Sequence, residues 1–151
     1  MIAVIQRVQY VRLRVDGQLV AEIGKGLLVL LGVASDDSEQ QADWLARKIS
    51  QLRILPDDQG RMNRSVIETE QEVLVVSQFT LLADASQGNR PSYIHAARPE
   101  LAIPLYERMV SSLQSILNKD VPTGVFGADM QIEMVNDGPV TICLNTSELM
   151  K

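Results

Sequence analysis

Two runs with no polar residue in them, Leu27-Leu28-Val29-Leu30-Leu31 and Val73-Leu74-Val75-Val76, restrict this chain more than any other feature. A strand that lies on a core by one face alternates apolar and polar residues, whereas a strand that is apolar throughout has both faces covered. The chain therefore needs a sheet with a layer on each side. Two amphipathic segments supply helices for one of those layers. Ser35-Asp36-Asp37-Ser38 offers N-cap residues, and Ala42, Leu45, Ala46, Ile49 and Leu52 follow on one helical face. Further on, Leu105, Met109, Leu113 and Ile116 form one stripe, with Pro104 expected in the first turn of that helix, where a missing N–H costs little.

The remaining segments are strand-like. Ala3-Val4-Ile5-Gln6-Arg7-Val8 and Val11-Arg12-Leu13-Arg14-Val15 alternate, and Asp16-Gly17 is the pair that a type I′ hairpin turn demands before Leu19-Val20-Ala21-Glu22-Ile23 returns. Gly24-Lys25-Gly26 breaks the chain before the first apolar run. Met130, Ile132 and Met134 alternate, Asn136-Asp137-Gly138-Pro139 reads as a turn, and Val140 to Leu144 closes the chain. The expectation is an α/β fold, one domain over residues 1–151. A β-sheet carries two main helices, and the strand count asks for a second sheet layer or a partly closed barrel. A chain of 151 residues buries roughly 68–70% of its unfolded surface, enough for a core without covalent staples. The one cysteine, Cys143, rules out an intrachain disulfide and suits a reducing, cytoplasmic setting. Residues 1–10 lack the basic and apolar blocks of a signal peptide, and no run is long enough to span a bilayer.

Several chemistries are excluded. One histidine and one cysteine make no zinc-ligand set, and no P-loop or dinucleotide fingerprint is present. The sequence calls for no metal and no cofactor. A net charge of −5 argues against wrapping a nucleic-acid backbone, and against DNA as a partner, but allows a protein that grips only the end of an RNA. His95, in Tyr93-Ile94-His95-Ala96, has nothing beside it that marks a nucleophile elbow.

Three segments are candidates for a site. Ser77-Gln78-Phe79-Thr80-Leu81 puts a hydroxyl, an amide, a ring and a second hydroxyl at the end of a buried strand, a common place for a pocket; the same residues also suit a strand end that satisfies its own backbone. Asn136-Asp137-Gly138-Pro139 is a plain turn or, if the Gly-Pro bond is cis, a pair of carbonyls aimed one way. Gly88-Asn89-Arg90-Pro91-Ser92-Tyr93 is a surface loop whose Arg90 and Tyr93 suit a phosphate or a base.

Taken together the chain resembles the D-aminoacyl-tRNA deacylase family. Its Ser-Gln-Phe-Thr-Leu motif stands at Ser77 to Leu81, and its Asn-x-Gly-Pro-Val-Thr motif at Asn136, Gly138, Pro139, Val140 and Thr141. Val4-Ile5-Gln6-Arg7-Val8, Ile23-Gly24-Lys25-Gly26-Leu27, Arg61-Met62-Asn63 and Phe126-Gly127-Ala128 are similar too. The resemblance implies a layered α/β homodimer that hydrolyses the ester between a D-amino acid and the 3′-terminal adenosine of tRNA. It implies a pocket at the subunit interface, with Gln78, Phe79 and Thr80 as the catalytic segment and Ser77 and Asn136 beside the substrate. Gly138-Pro139, cis, would reach in from the partner, steadied by Arg7.

Substrate and competitor differ only in handedness at one carbon. A backbone wall that blocks the L side chain serves every D residue, but it cannot reject glycine, so some cleavage of glycyl-tRNA is expected. Thr80 is the one obvious hydroxyl nucleophile, and no activating base lies near it in sequence. Attack by water, helped by the ribose hydroxyl of the tRNA, fits better, with the N–H groups of Phe79 and Thr80 facing the oxyanion. The alternatives are a small-molecule esterase or peptidase, a non-enzymatic dimer that binds nucleotide or RNA, and a relative that edits a different mischarged amino acid.

Overall fold

The computed structural model describes residues 1–150. Its spine is a long antiparallel pair, β1 (Ile2–Val15) and β7 (Met130–Asn145). The other edge of β1 is divided between two partners: residues 2–8 pair with β3 (Gly26–Gly32) and residues 11–15 with β2 (Gln18–Ile23). β3 then pairs in parallel with β6 (Glu72–Ser77). A parallel pair needs a long crossover. Here it contains α1 (Glu39–Gln51), a small hairpin of β4 (Leu55–Pro56) and β5 (Met62–Arg64), and the single turn α2 (Val66–Thr69). A 3₁₀ turn at Phe79–Leu82, the long α3 (Pro99–Leu117) and the short α4 (Thr146–Leu149) complete the chain.

The two apolar runs are covered on both faces, each by a different layer. Leu27, Val29, Leu31, Val73 and Val75 face a cluster with Ala42, Leu45 and Ile49 of α1 and Leu105, Met109 and Leu113 of α3. Leu28, Leu74 and Val76 face the other way, onto Val8, Val11, Leu13, Ala21 and Ile23, with Met130, Ile132 and Met134 packed behind. The second layer is thus the sheet itself, curled over into a half-barrel. Val8 and Val11 both point into that inner cluster although they are an odd number of residues apart. The register against β7 shifts between them, and such a bulge puts both on one side.

Local chemistry fixes the joints. Asp16 (φ 50°) and Gly17 (φ 77°) form the left-handed pair of the β1–β2 hairpin. A Cβ on Gly26 would lie 1.8 Å from the Glu72 carbonyl oxygen, so β3 and β6 approach this closely only with glycine there. Ser38 caps α1: its N–H donates to Gln41 Oε1 at 2.8 Å. Trp44, the one tryptophan, is half-buried against the helix-side cluster, with Lys48 Nζ 5.3 Å from the ring centroid.

Three details differ from the sequence reading. The two segments of β1 are one bent strand, because the bulge carries the ladder through Gln9 and Tyr10. α3 begins at Pro99, with Pro104 inside it; Pro104 sits on the exposed face, where water can serve the Glu100 carbonyl that has lost its partner. Residues 136–139 are not a reversal. The halves of β7 on either side pair antiparallel with the same strand, so this segment loops out of one continuous strand. No helix among the described residues is long and apolar enough to cross a membrane.

Candidate active site

A cavity of about 250 Å³ opens at the C-terminal end of β6. Its floor is apolar: Leu31, Val33, Val76, Ala97, Ala102, Tyr106, Phe126, Met130 and Ile132. Ser77, Gln78 and Phe79 form one lip, and residues 127–129 another. Tyr106 donates its hydroxyl to the Val75 carbonyl at 3.1 Å and meets Phe126 edge-on, at 5.9 Å between centroids. Burial pushes the Tyr106 phenol up to about 12, so it remains a neutral donor that fixes the floor to β6.

The lip is shaped by backbone. The Gln78 N–H donates to the Leu31 carbonyl at 2.7 Å, the last bond to β3 before the chain winds into the 3₁₀ turn. A Cβ on Gly32 would lie 2.6 Å from Leu82 Cδ2 and 3.0 Å from the Gln78 carbonyl oxygen, so glycine lets the turn sit down on β3. A helical turn leaves its first N–H groups without partners. Those of Phe79 and Thr80 find no acceptor among the described residues. The Gln78 side-chain amide donates to Thr80 Oγ1, and Thr80 is exposed. No histidine or carboxylate bonds to that hydroxyl. The Phe79 ring is 57% exposed and stands edge-on to Tyr93, 5.1 Å between centroids and 72° between planes.

Gly138 and Pro139 lie elsewhere. Their peptide is cis, and Gly138 has φ 134°. Between Gln6–Thr141 and Val8–Asn136 the ladder skips one residue of β1 and four of β7, so residues 137–140 stand opposite Arg7 alone. Arg7, 14% exposed, fills the gap. Its Nε donates to the Asp137 carbonyl at 3.0 Å and its Nη1 to the Ile54 carbonyl at 2.8 Å, tying the loop to the chain beyond α1. Asn136 closes the loop from inside: its Oδ1 accepts from the Val140 N–H at 2.9 Å and its Nδ2 donates to Thr141 Oγ1 at 3.1 Å. A Cβ on Gly138 would come 2.8 Å from Val140 Cγ2 and 3.2 Å from Arg7 Nη2.

Within one chain the structure therefore brings Ser77, Gln78, Phe79 and Thr80 together and keeps Arg7, Asn136, Gly138 and Pro139 apart from them. Arg7 pairs with Leu27 at the start of β3, while Ser77 pairs with Leu31 at its end. Four residues of strand separate the two levels, about 13 Å at roughly 3.3 Å per residue.

Sequence reasoning missed Tyr106 as a wall of the cavity. The signal was a phenol inside the apolar stripe of α3, between Leu105 and Met109. Arg7 also carries a signal, since it continues the buried face of Ala3 and Ile5 and a charged group there needs partners.

A family model described as D-Tyr-tRNA(Tyr) deacylase matches residues 4–145. A D-aminoacyl-tRNA deacylase of Opitutus terrae is 56% identical over 144 residues, 95% of this chain and 96% of that protein. The D-aminoacyl-tRNA deacylase of Bacteroides thetaiotaomicron is 51% identical over 143 residues, 95% of each. Among solved structures, one titled "c-Myc DNA Unwinding Element Binding Protein" superposes with a TM-score of 0.91 at 37% identity, covering 96% of this chain and 98% of that one. A second, titled as a "probable eukaryotic D-amino acid tRNA deacylase", gives 0.83 at 16% identity over 95% and 97% of the two chains, a likeness of fold.

Proposed function

The chain belongs to the D-Tyr-tRNA(Tyr) deacylase family and is a hydrolase of D-aminoacyl-tRNA, and from that premise we propose how residues 1–151, as one domain, carry out the reaction. The terminal adenosine and its aminoacyl group enter the cavity beside Ser77. Water attacks the ester carbonyl carbon, assisted by the neighbouring ribose hydroxyl. The carbonyl oxygen takes up negative charge against the N–H groups of Phe79 and Thr80, which have no other partner among the described residues. The carbon–oxygen bond to the ribose then breaks, the ribose oxygen takes a proton, and the free D-amino acid and the tRNA with its hydroxyl restored depart. One such donor contributes roughly 100- to 1,000-fold in rate. This free pair of N–H groups at the lip of the cavity is the observation that carries the reading. The Gln78 amide donates to the Thr80 hydroxyl, and with no base bonded to that hydroxyl it serves in this reading as a pocket group, water being the nucleophile.

Selection of the D form requires a second surface. Gly138 and Pro139, held by Arg7 and Asn136 on a different level of the same chain, supply it in a homodimer, each copy serving its partner's cavity. Their backbone blocks an L side chain and leaves glycine unopposed, so glycyl-tRNA is cleaved as well. The substrate of such an enzyme sets its place in the cytoplasm, where it removes D-amino acids from tRNA as a proofreading step. No step requires a metal or cofactor. The DNA-binding title of one structural neighbour suggests a second partner, but a chain of net charge −5 is a poor match for a duplex backbone.

A deacylation time course on one tRNA charged with D-tyrosine or with L-tyrosine tests the reading. Rapid loss of the D form with the L form intact is expected. Equal cleavage of both would remove the chiral surface, and cleavage of neither would remove the activity.

A further inference from the structure

The loop before α3 has no part in the reaction just described, yet it is built against the lip of the cavity. Asp84 and Ser92 exchange backbone hydrogen bonds at 2.8 Å in each direction, closing residues 85–91 into a loop. The Asp84 carboxylate accepts from the Ser86 N–H at 2.9 Å. On the far side the Ser35 N–H donates to the His95 carbonyl and the Ala97 N–H to the Val33 carbonyl, both at 2.9 Å. The segment is thus closed on itself by Asp84 and Ser92 and anchored through residues 95–97 to the chain after β3, and Ala97 is itself part of the cavity wall. What it presents outward is unusual. Tyr93 is 38% exposed and in contact with the exposed Phe79 ring, and Ile94 beside it is 77% exposed. Arg90 and Arg98 flank these residues, and neither forms an ion pair among the described residues.

An exposed aromatic platform with guanidinium groups close by in the chain, Arg90 before Tyr93 and Arg98 after Ile94, has the composition that single-stranded nucleic acid uses, bases on the rings and phosphates on the cations. We propose that residues 84–98 bind the unpaired nucleotides that precede the terminal adenosine, with a base stacked on Tyr93 and a phosphate beside Arg90. The inference rests on the reading of the cavity given above, because the adenosine in the cavity is what leads the strand across this loop. It also explains how an acidic protein holds tRNA: the contact is short, mostly stacking, and neutralises few phosphates, so binding depends only shallowly on salt.

The test compares three D-tyrosyl esters, of adenosine, of a trinucleotide matching the tRNA 3′ end, and of whole tRNA, in the wild type, Tyr93→Ala, Tyr93→Phe and Arg90→Gln. In the wild type kcat/KM rises from adenosine to trinucleotide. In Tyr93→Ala that gain shrinks roughly 10-fold or more, the range for one lost base stack, and Tyr93→Phe restores it. Arg90→Gln lowers the salt dependence of KM for the trinucleotide by about one phosphate's worth. Equal loss on all three esters, or no loss on any, overturns the proposal. So does dissociation of dimer to monomer by Tyr93→Ala in sedimentation, which assigns the surface to a second copy of the chain. A wild type that cleaves all three esters equally well sinks the platform and leaves the deacylase standing. A wild type that cleaves none sinks both.

Discussion

In the proposed reaction the turn at residues 78–81 and the loop at residues 136–140 both hold backbone polar groups for a ligand, and the structure fastens them in opposite ways. The first ends a buried strand and is fastened by main-chain bonds, Gln78 to Leu31 and then turn by turn to Ala83. It offers donors. The second leaves its ladder for four residues and is fastened by side chains, Arg7 from one flank and Asn136 from within. Its Asp137 carbonyl accepts from Arg7, and its Gly138-Pro139 peptide is cis. The difference shows where each is vulnerable. The turn is expected to survive the loss of its side chains, whereas the loop is expected to shift when Arg7 or Asn136 is removed.

The sharpest way to break this comparison is to remove a single N–H. Proline is well tolerated at the first position of a helical turn, which Phe79 occupies. Phe79→Pro is therefore expected to fold and to deacylate roughly 100- to 1,000-fold more slowly than Phe79→Ala, the control that loses the ring and keeps the donor. Parity between the two in single-turnover assays would take the oxyanion role away from this turn. Next in size is Arg7→Ala, which strands two carbonyls that had charged partners. A cost of about 1.5–3 kcal/mol per bond is expected, read as a lower urea midpoint together with a loss of D-over-L selectivity larger than the loss of turnover. Unchanged selectivity would mean that the loop does not need its anchor. Gly138→Ala, which forces a Cβ against Val140 and Arg7 at positive φ, is expected to reproduce the selectivity defect with Arg7 intact.

Smaller effects sharpen the contrast. Thr80→Ala keeps the backbone and is expected to stay within about 10-fold of wild type in kcat/KM, since a pocket hydrogen bond contributes roughly 0.5–1.5 kcal/mol. A folded, substrate-binding but inactive Thr80→Ala would revive the hydroxyl as nucleophile. The smallest effect concerns alkali. Burial holds the Tyr106 phenol at about 12 against 10 for a free phenol. Its contribution to stability is complete below pH 10 and disappears as pH climbs toward 12, because the unfolded chain ionises first. Thermal melts from pH 8 to 11.5 should therefore decline less steeply in Tyr106→Phe than in the wild type; identical slopes would mean that the ring gives the fold no such pH dependence.

How far the sequence could be read depended on whether the deciding contact was local. The Asp16-Gly17 hairpin, the two apolar runs and an N-cap within Ser35 to Ser38 were legible because each is written in consecutive residues. The continuity of β1 was not, since the bulge that joins its halves exists only against β7, where Val8 pairs with Asn136 near the other end of the chain. The site divides likewise. Residues 77–80 stand out because a polar cluster follows an apolar strand. From its own residues the loop at 136–139 read as a plain turn or a cis Gly-Pro, and only the family resemblance marked it as part of a site, because the strand that keeps both its flanks in one line is β1. Tyr106 signalled only a phenol within an apolar helical stripe, since what fixes it in the cavity is the Val75 carbonyl on another element.

Trp44 has a practical consequence. The one indole of the chain reports on the layer of helices, through its contact with that cluster and with Lys48. The half-barrel and the cavity mouth hold tyrosine and phenylalanine only. Emission at tryptophan wavelengths will follow melting of the helical layer and is expected to change little when a ligand enters the cavity. A fluorescence transition that runs ahead of the far-ultraviolet signal of the strands would show that the two hydrophobic clusters come apart in sequence.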